Sequence, residues 1–138
     1  MQGITIKLPP VCIRKRNGLE CRYIPFSLNK RLHWAVRSKW NVEWKNTTYW
    51  EIKRFHKQLG KIPYSFATIT ITLNTCYPLD RDNAYTACKS VVDGIVLAGV
   101  IPDDSDKYLD LKVKVNKVSK LGEQCVEICI VEGGGSDG

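Results

Sequence analysis

Several features are missing from this 138-residue chain. No apolar run reaches the roughly 18 residues that a membrane-spanning helix needs. The first residues have neither the basic start nor the apolar stretch of a secretory signal, so we expect a cytoplasmic protein. No CxxC pair occurs among the six cysteines, which argues against a zinc finger or ribbon, and free buried thiols are expected. Without repeats or internal linkers, we expect one domain over residues 1–132 and a disordered Gly-rich tail over residues 133–138.

Acidic residues are scarce in the first half of the chain. Residues 1–62 contain 14 Lys/Arg and 3 Asp/Glu, whereas residues 63–138 contain 7 Lys/Arg and 11 Asp/Glu. A basic half indicates a polyanionic partner, most simply nucleic acid, although a merely soluble basic surface is the alternative. That alternative does not explain the seven aspartates between positions 80 and 110.

Hydrophobic periodicity predicts strands, a helix, a strand, a second helix and a final hairpin. The predicted α+β domain is a mixed sheet with two main helices packed on it. Asn17-Gly18 is the predicted turn of the first hairpin, and Leu121-Gly122 of the last. The predicted strands cover residues 3–8, 66–76, 109–115 and 125–131, the first hairpin covers residues 11–26, and the helices cover residues 31–59 and 84–98. The apolar stripe of the first helix is Val36, Trp40, Trp44, Thr48, Ile52, Phe55 and Leu59. We assign Trp40, Trp44 and Phe55 to the core or a dimer surface, with stacking on unpaired bases as the alternative.

The aspartates form the pattern that carries chemistry. Asp80 and Asp82 follow a strand, and their spacing in an extended segment places both carboxylates on the same side. Two such carboxylates repel each other unless a cation lies between them, and Mg²⁺ prefers hard oxygen ligands. The predicted second helix returns the chain, so Asp103 and Asp104 can approach from a second loop. We therefore predict a magnesium site.

Each residue also has a simpler structural interpretation. Asp82 or Asn83 could cap the second helix. The Asp103-Asp104 pair could form an ordinary turn, or Asp104 or Ser105 could be a cap. A helix lysine, Lys89, could pair with Asp93 four residues later. Their coincidence in one short stretch of a basic protein favours the metal site.

The same stretch resembles a known family. Its pattern is Asp80-Arg81-Asp82-Asn83, then Lys89, then Asp93-Gly94, then Gly-Val-Ile-Pro-Asp-Asp-Ser over residues 99–105. This pattern resembles that of the RusA-type Holliday junction resolvases of phages and prophages. Residues 27–34, Ser-Leu-Asn-Lys-Arg-Leu-His-Trp, are similar to the Asn-x-Arg-x-His-Trp stretch of many phage-type members. The resemblance covers about residues 26–118. Three extra residues separate Asp82 from Lys89 relative to the shortest family pattern, a gap that a longer-spaced subgroup shares.

The resemblance implies a RusA-like fold and a homodimeric, Mg²⁺-dependent crossover junction endodeoxyribonuclease, with Mn²⁺ able to substitute. Such an enzyme resolves four-way DNA junctions by paired symmetric nicks in recombination and repair, in a bacterium or a phage-infected cell. The implied catalytic residues are Asp80, Asp82, Lys89 and Asp104, and the metal ligands are Asp80, Asp82, Asp103 and Asp104. The candidate DNA-binding residues are Arg14, Lys15 and Arg16 on a hairpin tip, with Asn29, Lys30, Arg31, His33 and Arg37. The alternatives are a nuclease for other branched DNA, such as flaps or forks, and a non-catalytic DNA-binding protein.

Overall fold

The computed structural model describes residues 3–25, 34–77 and 79–133, which form two small sheets and several helices. The strands are β1 (Ile4–Lys7), β2 (Val11–Lys15), β3 (Gly18–Arg22), β4 (Ala67–Thr75), β5 (Leu109–Lys117) and β6 (Cys125–Glu132). The helices are α1 (Trp34–Arg54), α2 (His56–Leu59), α3 (Arg81–Ala87) and α4 (Lys89–Leu97). This architecture confirms the predicted α+β domain with a mixed sheet. The tail beyond Gly133 lies outside the described residues.

The main sheet has the strand order β1-β6-β4-β5. Strand β5 runs parallel to β4, and β6 runs antiparallel to both β4 and β1. The predicted hairpin of the last two strands is therefore wrong, because β4 lies between them. The inward side chains of β4, such as Ile69, Ile71 and Leu73, are buried. A strand with this many buried apolar side chains occupies the centre of the sheet. The alternating pattern of a strand shows which face is buried but not which strand is its neighbour.

Helix α1 places the predicted apolar stripe in the core, where it contacts α4 and β2. Trp40, Trp44 and Ile52 are buried in the core, whereas Val36 at the start of the stripe is 39% exposed. The predicted continuous helix over residues 31–59 is interrupted at Phe55, where α1 has ended and α2 has not begun. Residues 31–33 lie outside the described part of the chain. Within that part, no helix is long and apolar enough to cross a membrane.

Helices α1 and α4 approach each other closely at Gly94. A Cβ atom at this position would lie 2.6 Å from the carbonyl oxygen of Lys45 and 2.7 Å from Cβ of Thr48. The absence of a side chain therefore permits the helix contact. It also brings Lys45 of α1 beside the first turns of α4.

The β2–β3 hairpin turns one residue earlier than predicted. Lys15 pairs with Gly18, so the turn residues are Arg16 and Asn17. Gly18 has a φ of 126°, which glycine adopts without steric cost, and it serves as the first residue of β3. The Asn-Gly pattern thus predicts that a turn forms here, but it does not specify which two residues lie in the turn.

This shift changes which residues face each other across the hairpin. A turn at Asn17-Gly18 would place Cys12 opposite Tyr23, whereas the observed register places it opposite Cys21, with a Cα–Cα distance of 4.0 Å. The two cysteines form a disulfide, so the expectation of free thiols is wrong for this pair. The other four cysteines are free. Burial raises the pKa of the Cys88 thiol to about 12, which keeps that thiol protonated and unreactive at neutral pH.

Candidate functional site

Asp80 caps helix α3. Its carboxylate accepts hydrogen bonds from the main-chain N–H of Asn83, at 2.8 Å, and from the Asn83 side-chain amide, at 3.1 Å. Because this cap satisfies one of the free main-chain N–H groups of the first turn, the helix begins at Arg81, three residues earlier than predicted. The capping role that we considered for Asp82 or Asn83 therefore belongs to Asp80. Asp82 is exposed in the first turn of α3, where the helix dipole favours a negative charge.

Lys89 binds one aspartate of its own helix and one of the loop that follows. It is the first residue of α4, which a turn at Cys88 separates from α3 within the predicted single helix. Its Nζ atom lies 2.8 Å from Oδ2 of Asp104 and 3.1 Å from Oδ1 of Asp93. The predicted pairing with Asp93 is thus confirmed. The contact with Asp104, fifteen residues away, is one that helix spacing could not indicate.

Both members of the Lys89–Asp104 pair are charged at neutral pH. The hydrogen bond to Asp104, followed by the one to Asp93, raises the pKa of Lys89. The same contact with Lys89 lowers the pKa of Asp104. An ammonium with a raised pKa cannot serve as a general base, but it can neutralise negative charge on a bound group.

Asp103 shapes the loop between α4 and β5. Its Oδ1 atom accepts a hydrogen bond of 2.8 Å from the main-chain N–H of Asp104. The segment continues through turns into β5 without a helix, so the cap that we considered for Asp104 or Ser105 is wrong. The turn interpretation holds for Asp103, and this turn directs the neighbouring carboxylate of Asp104 at Lys89.

The candidate metal ligands are divided between two places in the structure. Asp80 and Asp82 lie at the start of α3, and Asp103 and Asp104 lie in the loop after α4. Among residues 3–25, 34–77 and 79–133, no three His, Cys, Asp or Glu side chains form a group that could hold a metal ion. The donor chemistry of each aspartate pair nevertheless suits Mg²⁺, which takes one or two carboxylates and completes its shell with water and substrate phosphates.

Two adjoining grooves flank the lysine–aspartate cluster. Lys45, Lys89 and Asp93 line both of them. One groove, of about 380 Å³, extends to Asp103 and Asp104. The other, of about 370 Å³, extends along α1 as far as Arg37.

Lys45 and Ser90 are two of the groove residues that are not among the candidate site residues. Lys45 follows Arg37 and Asn41 at intervals of four residues, and this spacing places the three side chains along one line of a helix. That line could have been read from the sequence as a polar stripe beside the apolar one. No local signal distinguishes Ser90 from any other helix serine.

The candidate DNA-binding residues have mixed outcomes. Arg14, Lys15 and Arg16 are exposed at the hairpin tip, and Lys15 forms a salt bridge with Glu20. Arg37 lines the groove along α1. The remaining candidates lie outside the described residues; they are Asn29, Lys30, Arg31 and His33.

Comparison of the chain with models of known protein families and with curated proteins gave no match. The resemblance to junction resolvases therefore remains a prediction based on the motifs.

Proposed function

We propose that this protein is a Mg²⁺-dependent endonuclease that cuts branched DNA, with the four-way junction as its principal substrate. The observation that carries the proposal is the 2.8 Å contact between Lys89 and Asp104. It holds the loop after α4 against the first turn of α4, at a surface that basic residues of α1 also line. A cation held among carboxylates beside a basic groove suits the binding and cleavage of a phosphodiester.

Lys89 has the geometry to contact a phosphate. Its side chain is 63% exposed, and two of the three hydrogens of its ammonium group can serve Asp93 and Asp104. The third remains for a phosphate oxygen, where it would stabilise the charge that develops on phosphorus during hydrolysis. The two carboxylates hold the ammonium in place before the substrate arrives, which reduces the cost of organising the site.

The aspartates supply the ligands for the metal. We propose that Asp80 and Asp82 offer carboxylates to Mg²⁺ from the start of α3, and Asp104, with Asp103 beside it, from the loop after α4. Because the described residues form no three-ligand group by themselves, oxygens of the substrate would complete the shell. A bound Mg²⁺ supplies charge neutralisation at the phosphate and a water of lowered pKa. The hydrogen bonds from Asn83 fix the carboxylate of Asp80, so at least one ligand is already oriented.

Basic side chains and a second subunit would hold the DNA. Exposed Arg14 and Arg16 and the groove residue Arg37 would contact flanking phosphates, which give affinity with little sequence information. Resolution of a two-fold symmetric junction needs two active sites, and a homodimer provides them. The proposed place of action is the cytoplasm of a bacterium or a phage-infected cell, where such junctions occur.

The test uses Asp82→Asn with a labelled four-way junction. We expect the Mg²⁺-dependent nicking rate to fall by about 100-fold or more, while binding measured in EDTA stays close to that of the wild type. The matched control is Asp106→Asn, which changes an exposed aspartate outside the proposed ligand set and should cut normally.

The other outcomes are equally informative. Cleavage by Asp82→Asn at the wild-type rate would contradict the metal assignment. Faster wild-type cleavage of flaps or three-way forks would change the principal substrate. If no branched DNA yields a metal-dependent product, the proposal is wrong, and junction binding in EDTA would then identify a non-catalytic DNA-binding protein.

A further inference from the structure

The β2–β3 hairpin is anchored in the core through only one of its two strands. Val11 and Ile13 of β2 are buried and belong to the hydrophobic core, whereas none of the five described residues of β3 is buried. Arg22 of β3 lies over the ring of Trp40, 4.3 Å from the centroid. A two-stranded hairpin is only marginally stable in water by itself. The position of β3 therefore depends on its bonds to β2.

The Cys12–Cys21 disulfide is a covalent bond between these two strands. The two residues lie directly opposite each other, with a Cα–Cα distance of 4.0 Å. Side chains alternate along a strand, so Cys12, which lies between Val11 and Ile13, points away from the core. Both cysteines are in fact exposed. Thiols and disulfides in solution therefore have access to this bond.

The disulfide lies on the face of the hairpin that also carries part of the basic tip. Arg14 follows Cys12 by two residues and thus lies on the same face, and Arg16 lies in the turn. Both arginines are exposed. Lys15 forms its salt bridge with Glu20 of β3, so this contact also requires that the strands stay together. Detachment of β3 would therefore loosen the side chains that we propose to contact flanking phosphates.

The exposure of the bond and the proposed place of action together indicate a reversible bond. Glutathione and thioredoxin keep most cytoplasmic thiols reduced, and cytoplasmic disulfides are usually transient. Exposed disulfides are also more easily reduced than structural ones. Both states of the cysteine pair are therefore accessible to a protein that acts in the cytoplasm.

We propose that Cys12 and Cys21 form a redox switch, in which the disulfide holds the hairpin tip for DNA contact and the two thiols release it. The effect on DNA rests on the proposed function. The oxidant is a low-molecular-weight disulfide, such as oxidised glutathione.

The oxidation takes place in two exchange steps. One cysteine thiolate attacks a sulfur of the small disulfide, forms a mixed disulfide and displaces one small thiol. The second cysteine thiolate attacks the protein sulfur of the mixed disulfide and displaces the other small thiol. The two protein thiols thus lose two electrons and two protons, and one small disulfide becomes two thiols. Reduction is the reverse of these steps.

Trypsin tests the switch without DNA, because it cleaves after Lys and Arg and the exposed tip contains Arg14, Lys15 and Arg16. The protein is treated with oxidised glutathione or with millimolar reduced glutathione, and alkylation followed by mass measurement counts its thiols. We expect the reduced glutathione to open the bond and cleavage at the tip to become about tenfold faster. The double variant Cys12→Ser with Cys21→Ser should be cleaved at the fast rate after either treatment.

Junction binding in EDTA connects the switch to the proposed function. The oxidised wild type should bind the four-way junction about three- to tenfold more tightly than the reduced wild type, because its tip is ordered before DNA arrives. The double serine variant should show the weaker affinity after both treatments. The variant Arg14→Gln with Arg16→Gln should lose most of the difference between the two states, since it lacks the side chains through which the tip would act.

Several results would overturn the switch. A disulfide that persists in millimolar reduced glutathione would be a permanent structural bond. Equal rates of tip cleavage in the two states, or equal affinities of a protein that does bind junctions, would also contradict the proposal. A redox response that persists in the double serine variant would assign the effect to other cysteines. If neither state binds branched DNA, the proposed function fails, while the trypsin rates still decide whether the disulfide controls the hairpin.

Discussion

At the scale of single residues, Lys89 and Asp104 shift each other's pKa although both side chains are exposed. The two side chains are 63% and 37% exposed, and exposed ion pairs contribute only about 0.2–1 kcal/mol to stability. The pair is therefore better explained by its position at the groove that both side chains line than by folding energy. A site can retain such a pair because the ammonium must be held for a ligand.

The stability contributed by this pair should depend on pH in a defined way. The pKa of Asp104 is lowered, so its contribution is present above its unfolded pKa, about 3.9, and is lost as pH falls through the lowered folded value. The pKa of Lys89 is raised, so the contribution is also lost as pH rises through that value. Urea unfolding of wild type and Asp104→Asn should differ by a constant amount between about pH 5 and 9, with a smaller difference near pH 3. A difference that is unchanged at pH 3 would contradict this assignment.

At the scale of elements, the close contact of α1 with α4 positions the grooves. Lys45 and Thr48 of α1 lie against Gly94 in the middle of α4. One turn earlier, α4 carries Lys89 and Ser90. Any displacement of the two helices therefore changes the distance between the basic stripe of α1 and the candidate site.

Gly94→Ala should destabilise the protein by about 1–3 kcal/mol, as overpacking of a tight contact does. Helix propensity acts in the opposite direction, because alanine favours a helix interior by about 1 kcal/mol over glycine. Loss of stability would therefore report the contact of 2.6 Å with the Lys45 carbonyl. The control is Gly122→Ala, where an added Cβ meets nothing within 4 Å. Chemical unfolding measures both variants, and equal midpoints for the two would contradict the proposed role of Gly94.

At the scale of the whole molecule, the fold brings together charges that are separated along the chain. The basic first half forms the hairpin and α1, and the acidic segment forms α3, α4 and the loop that follows. Lys45 and Asp93 then line the same grooves. Opposite charge at one surface suits a site that must attract a polyanion and also hold a cation.

The proposed homodimer leads to a test with mixed subunits. Wild-type protein and Asp82→Asn, refolded together at equal concentration, should give mostly single nicks in the four-way junction and few resolved duplexes. The reason is that a mixed dimer has one active site, and paired symmetric cuts need two. Denaturing and native gels of the same reaction distinguish nicked from resolved junctions. A mixture that resolves junctions in the same ratio to nicks as the wild type would contradict dimeric action.

Much of the fold could be predicted from local patterns. The alternation of Ile69, Ile71 and Leu73 located β4, and the three- and four-residue spacing of Trp40 and Trp44 located α1. Helix ends were less predictable, because they depend on a specific cap. Asp80 is a predicted metal ligand that also caps α3. Because its carboxylate accepts hydrogen bonds from Asn83, the helix begins earlier than periodicity indicates.

The sequence by itself determined where strands and helices form, which of their faces are buried and where acid is concentrated, because these properties depend on residues close together in the chain. Tertiary structure decided that β4 separates β5 from β6, that Cys12 faces Cys21, and that Asp104 meets Lys89. It also decided that the buried Ser90 hydroxyl has no hydrogen-bond partner among the residues that the structure describes. Each of these outcomes depends on strand order, on register or on the packing of α1 against α4, and no local spacing specifies them.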